Sequence, residues 1–176
     1  NNTLQVVEGL PPITAVQGAL DITEASVTAQ EINGRAFAGP VRVQVGSEAG
    51  KDGGKVLIKA SGKADLGEVG RHFAWPLLDR VSGAAQWKSD IIIQKRRAYV
   101  LVTSDLLGVV SPWPEPLKKT ADSTLPLRIE RSEPVAGQEN YRITLGKMMS
   151  GLLVRRDGRW AHGVINVGGA GGTSPA

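Results

Sequence analysis

The chain has 176 residues, a formal charge of +4 and no cysteine, which suits one domain with its own core and excludes disulfides and thiolate metal sites. Its 21 lysines and arginines are scattered rather than gathered into a stripe, which argues against nucleic acid as a partner. No apolar run reaches the ~20 residues of a membrane-crossing helix, and the opening NNTLQVVEGL, with neither methionine nor signal pattern, reads as an internal piece of a longer protein.

From the N-terminus the dominant signal is period-two alternation broken by glycine. ITAVQGALDITEASVTAQEINGRAFAGPVRVQV places small and β-branched residues in strands that end at glycine corners, a weak repetition without fixed period. Val41, Val43 and Val45 alternate with Arg42 and Gln44. Val56 and Ile58 alternate with Leu57 and Lys59. The GSEAGKDGG between them carries the Asp-Gly-Gly of a hairpin connection. ADLGEVGRHF then predicts a helix. Asp65 is placed to cap it, with Glu68 three residues on, and Leu66, Val69 and Phe73 fall at helical spacing before Pro76 ends it. WPLLDRVSG offers a second short helical turn. Strands resume at GAAQWKSDIIIQ, turn between Gln94 and Arg97, and return through Tyr99–Val102, where both faces are apolar and cover on both sides is expected. PLRIERSE and NYRITLGKMM are joined through PVAGQE, and SGLLVRRDGRWAHGVINVGG is a hairpin turning at Asp157-Gly158.

The resulting expectation is a mainly β chain. It is a long antiparallel meander of about nine to eleven strands at ~5–6 residues each, forming a curved, groove-like sheet or an open sandwich, with one or two short helices near 64–80. Residues 1–168 read as a single β-rich segment and 169–176 as a flexible Gly-rich tail.

Chemistry-bearing motifs are scarce. His72 and His162 stand alone, and no H-E-x-x-H is present. GSEAGKD imitates a phosphate loop, but Asp52 occupies the Ser/Thr position and a hairpin replaces the required helix. There is no G-x-S-x-G elbow. Asp90 alternates outward with Gln86 and Lys88, and Asp105 sits where a strand ends and accepts backbone N–H groups most simply. No enzyme activity, cofactor or metal is expected. The apolar faces carry more information. They fit a sandwich core closed by a second sheet, or a curved sheet whose concave face takes acyl chains. An aromatic content of 5% leans toward the groove.

The stretch that breaks the pattern is SDLLGVVSPWPEPLKK, Ser104 to Lys119. Pro112, Pro114 and Pro116 cannot donate to a central ladder, so it is expected to leave its strand at Gly108 and lie over the sheet as a stiff strap. Val109, Val110, Trp113 and Leu117 would face inward, with Lys118 and Lys119 at the rim. The strap either lines a groove or protects a sheet edge.

This stretch resembles the Ser-Asp-Leu-x-Gly … Leu-Pro-x-Pro-Leu-x-Lys signature of the AsmA-like envelope proteins of the YhdP type. Ser104, Asp105, Leu106 and Gly108 match the first half. Pro114, Pro116, Leu117 and Lys118 match the second, with Trp113 where that family has Leu and Pro112 added. Val81 to Gln94 and Ala19 to Val43 resemble the strands that precede the signature, so the likeness runs from about Leu10 to Ile165. It implies a periplasmic segment of a protein anchored in the inner membrane by parts outside this chain. Such a protein conducts phospholipid along a repeating β-groove and supports the outer-membrane permeability barrier. The groove would be lined by Val41, Val43, Val45, Val56, Ile58, Trp87, Leu101, Trp113 and Leu117, with Lys118 and Lys119 on lipid phosphates. The other reading is a β module without lipid that scaffolds or docks envelope proteins in outer-membrane assembly.

Overall fold

The computed structural model describes residues 2–5, 11–23, 26–49 and 54–168. The Gly-rich tail and the Asp52-Gly53 turn lie outside them. One antiparallel sheet of thirteen strands runs through the described residues, and its two ends, β1 (Thr3–Leu4) and β13 (Arg159–Val167), do not pair with each other, so no barrel closes. Between them come β2 (Ile13–Gly18), β3 (Asp21–Ile22), β4 (Val27–Ala36), β5 (Gly39–Glu48), β6 (Lys55–Asp65), β7 (Ser82–Gln94) and β8 (Arg97–Ser104). There follow β9 (Val109–Val110), β10 (Leu127–Val135), β11 (Gln138–Leu145) and β12 (Met149–Arg156). Ten strands are six residues or longer, and β1, β3 and β9 are two-residue pieces. The long strands pair in chain order, as the short turns dictate.

The register explains the alternation. Ile32, Val43, Ala60, Ser89, Val102, Ile129, Ile143, Gly151 and Ile165 stand side by side across nine strands. One residue along each strand, the row Asn33, Arg42, Ser61, Lys88, Thr103, Arg128, Thr144, Ser150 and Asn166 is polar throughout. Since successive side chains point to opposite faces, these two rows mark an inner face that is mostly apolar and an outer face that is mostly polar. No second sheet covers the inner face among the described residues, so a sandwich is not formed.

The inner face is not uniformly shut. Along β4–β8 its side chains pack on one another: Val41, Val43, Ile58, Ile91 and Val100 join Ile13, Ala29 and Ile32 in one buried cluster, and Val43 is 1% exposed. Toward β13 the face opens, and Ile165 is 56% exposed.

The helix forms as expected. In α1 (Leu66–Phe73) the Asp65 carboxylate accepts from the Glu68 N–H at 3.0 Å, and a one-turn 3-10 helix, Pro76–Leu78, follows. His72 packs edge-on against Phe37 and Phe73. The turn at Asp157-Gly158 has both residues at positive φ, as its sequence predicts. Two other turns, Phe37-Ala38 and Lys95-Arg96, also hold positive φ without glycine or asparagine to ease it.

One expectation about the sheet fails. Leu101 pairs with Asp90 and Glu130 between the inward Val100 and Val102, so it lies on the outer face. The strand read as covered on both sides is covered on one. Its outward side chains are only half-buried, and Tyr99 meets the polar face by donating its hydroxyl to Glu130 at 2.9 Å.

Candidate functional site: the inner face and the strap at its end

Val41, Val43, Val45, Val56, Ile58 and Trp87 all come together on the inner face. Trp87 stands between Gly62 and Ser104 in register, and its indole N–H is buried without a partner.

The strap is a different object from the one the sequence suggested. Its first half is turn chemistry. The Ser104 hydroxyl donates to the Gln86 carbonyl at 2.7 Å and accepts from Leu106 N at 3.0 Å, and the Asp105 carboxylate accepts from Leu107 N at 3.0 Å. Leu106 is held at φ 53°. Gly108 then brings the chain back beside β7, where β9 pairs with Ser82 and Gly83. Both glycines have positive φ. A Cβ at Gly83 would collide with the Gly108 carbonyl oxygen, and one at Gly108 would stand 2.8 Å from the Ala84 oxygen. The pair is what lets the strap close on the strand.

The second half is a loop held to itself. Ser111 and Lys119 exchange backbone hydrogen bonds at 2.9 and 3.0 Å. The Trp113 indole donates to the Leu77 carbonyl at 3.0 Å, and Arg80 lies over its ring at 5.3 Å. Trp113 therefore braces the 3-10 turn at the end of the sheet. Neither it nor Leu117 belongs to the cluster on the inner face, so neither lines the groove where it was expected. Val110 is also turned out, at 38% exposure, while Val109 is buried.

Lys119 is the sharper correction. It is 6% exposed, and its ammonium donates to the carbonyls of Val109 (3.0 Å), Thr120 (3.0 Å) and Ser123 (2.6 Å). An ammonium has three N–H donors, so none remains for a lipid phosphate. Burial lowers its pKa, and Asp122 and Asp105 oppose that. Lys118 remains exposed.

One group of inner-face residues had no part in the sequence reading. Arg131 is opposite Val100 and Tyr141, and Glu139 is opposite Arg155, which places all four on the apolar side at the end away from the strap. Glu139 accepts from Arg131, from the Tyr141 hydroxyl at 3.1 Å and from Arg155 at 3.2 Å. The side chains of Arg131 and Glu139 are 11% and 16% exposed. Burial alone would raise the Glu139 pKa, but the Arg131 hydrogen bond and charge, with Tyr141 and Arg155, hold it below the usual carboxylate range. The signal for this cluster was present in the sequence: charged residues at inward positions of strands that otherwise alternate cleanly.

A depressed carboxyl pKa contributes stability that is complete above the unfolded value, near 4.3, and is lost as pH falls through the folded one. Between about pH 5 and pH 3 the wild type is expected to lose more stability than Glu139→Gln. Urea midpoints at the two ends of that range check it, and parallel curves would refute the coupling.

These features meet the family comparison at one point. The Ser104–Gly108 turn, the Gly83–Gly108 approach and the proline loop are one structural unit, and a match to the family described as YhdP protein covers residues 1–176, the unit included. The chain belongs to the YhdP family. No curated protein and no solved structure matches it. YhdP-family proteins are proteins of the cell envelope, and no helix among the described residues is long and apolar enough to cross a membrane.

Proposed function

We propose that this YhdP-family chain is a segment of a periplasm-spanning conduit. The acyl chains of phospholipids lie on the inner face of its sheet while passing between inner and outer membrane. The observation that carries the reading is the pair of adjacent rows, one apolar but for Ser89 and one polar throughout, across nine strands of an open sheet. Each CH₂ taken from water gains about 0.8 kcal/mol, so an apolar face left without a second sheet holds acyl chains without specific contacts. Envelope lipid transport by the family supports the same reading. The acyl path runs over the half-open part, from β10 to β13, and the packed part from β4 to β8 forms its back wall. On this reading the chain catalyses nothing and needs no cofactor, and it sits in the periplasm, attached to the inner membrane through other parts of its protein.

The tight packing around Val43 favours a second reading, a β module that only scaffolds or docks envelope proteins. Native mass spectrometry of the purified chain separates the two. Conduction predicts co-purified phospholipid and crosslinking of a photoreactive phospholipid to β10–β13. A lipid-free chain that crosslinks nothing there would leave the scaffold reading.

A further inference from the structure

An apolar face that carries acyl chains has no need of charge, yet Arg131, Glu139 and Arg155 sit on it. Two guanidiniums against one carboxylate leave an excess positive charge. Both Glu139 oxygens are already occupied by Arg131, Tyr141 and Arg155. Arg131 Nε is buried without a partner. Arg155 is the accessible member, with 34% of its side chain exposed. Only its Nη1 is engaged, so Nε and Nη2 are free among the described residues. Trp160, opposite Arg155 in register and 59% exposed, packs on Tyr141 with ring centroids 5.4 Å apart. An arginine fork beside two aromatic rings, facing an apolar track, is the chemistry that receives an oxyanion carried on an apolar body.

The track has the right length. From Arg155 the inward positions of β12 continue through Leu153 and Gly151 to Met149. Six residues at about 3.4 Å each give about 20 Å. One leaflet of a bilayer with a ~30 Å core is about 15 Å deep, so an acyl chain anchored at Arg155 ends on this track. Gly151 contributes no side chain of its own, and the Ile165 side chain of β13 lies beside it, 3.5 Å from where a Cβ would stand.

We propose that Arg155, backed by Arg131 and steadied by Glu139 and Tyr141, is a seat for a phosphate-type oxyanion, the headgroup phosphate of a phospholipid whose tail lies along β12. This deepens the conduit reading and rests on it for the source of the phosphate. The seat would set where headgroups pause along an otherwise featureless face.

The test uses the intact chain with dioleoyl phosphatidic acid and dioleoylglycerol, which differ only in the phosphate, and with inorganic phosphate as a tail-free probe. In native mass spectra of the chain offered both lipids equally, the wild type should retain phosphatidic acid about tenfold over dioleoylglycerol, the factor that about 1.4 kcal/mol gives. Arg155→Gln should keep total lipid and lose the preference, and it should fold because Glu139 retains Arg131 and Tyr141. Arg155→Lys should recover only part of the preference, since an ammonium lacks the planar fork. Stabilisation of the wild type by inorganic phosphate, absent in Arg155→Gln and without lipid uptake, would uphold the seat, assign it to a free anion and refute the conduit. Equal retention of both lipids by wild type and Arg155→Gln would overturn the seat and leave the conduit standing. A chain that takes up neither lipid nor phosphate would overturn both.

Discussion

Val43→Asp is expected to unfold the chain or to bring its urea midpoint close to zero. Val43 is the most deeply buried large side chain, at 1% exposure, within a cluster that includes Val41, Ile58, Ile91 and Val100. An aspartate there has no cation among its inward neighbours and no route to water. An uncompensated buried charge costs about 3–5 kcal/mol, and the lost apolar burial adds about 1.5–3 kcal/mol. Domains of this kind are stable by about 5–15 kcal/mol in total, so the substitution removes a large share of the stability or all of it. Ile143→Asp is the informative partner. It occupies the same register row, five strands away with β6, β7, β8 and β10 between, but it is only half-buried, in the part of the face that opens. Its charge reaches water when the face is empty, so the variant should fold and fail to crosslink phospholipid. Far-UV circular dichroism and urea midpoints measure both. An unchanged midpoint for Val43→Asp would mean that water reaches the inner face along its whole length.

Lys119→Met should cost about 2–4 kcal/mol, whereas Lys118→Met should stay within about 0.5 kcal/mol, as exposed substitutions do. Removing the Lys119 ammonium takes a donor from the carbonyls of Val109 and Ser123, and leaves the Thr120 carbonyl to the N–H and hydroxyl of Ser123. Hydrogen bonds to charged groups are worth about 1.5–3 kcal/mol each, but they are not additive, and relief of the buried charge offsets part of the loss. The physical need for the lysine follows from the prolines. Pro112, Pro114 and Pro116 supply no N–H, so an irregular loop built from them is short of donors for its own carbonyls. One ammonium with three N–H groups makes up the shortage. Limited proteolysis between residues 105 and 125 should accelerate in Lys119→Met alone. Equal behaviour of the two lysine variants would return Lys119 to the rim.

These two residues mark the boundary of what could be read without coordinates. Strand positions, the chain-order meander, the α1 cap at Asp65 and the Asp157-Gly158 turn follow from local rules: a period of two, a carboxylate that meets its own helix's N–H groups, and a glycine at positive φ. Each involves residues close in sequence, so the sequence alone determined them. The inward set from Val41 to Trp87 was legible for the same reason, since alternation fixes parity within a strand. Leu101 was misassigned because an apolar strand such as Tyr99–Val102 carries no alternation, and only its pairing with Asp90 and Glu130 shows which side is out.

The tertiary structure decided the rest. Charge normally goes to water, so nothing local said that Lys119 would turn inward. Its three acceptors are scattered from residue 109 to residue 123 and converge only when the loop closes. Trp113 left the inner face because a backbone carbonyl 36 residues earlier, at Leu77, offered its indole N–H a partner. The Arg131–Glu139–Arg155 cluster exists because three successive strands align in register. How far the inner face closes depends on the curl accumulated over many strands, which no single strand encodes.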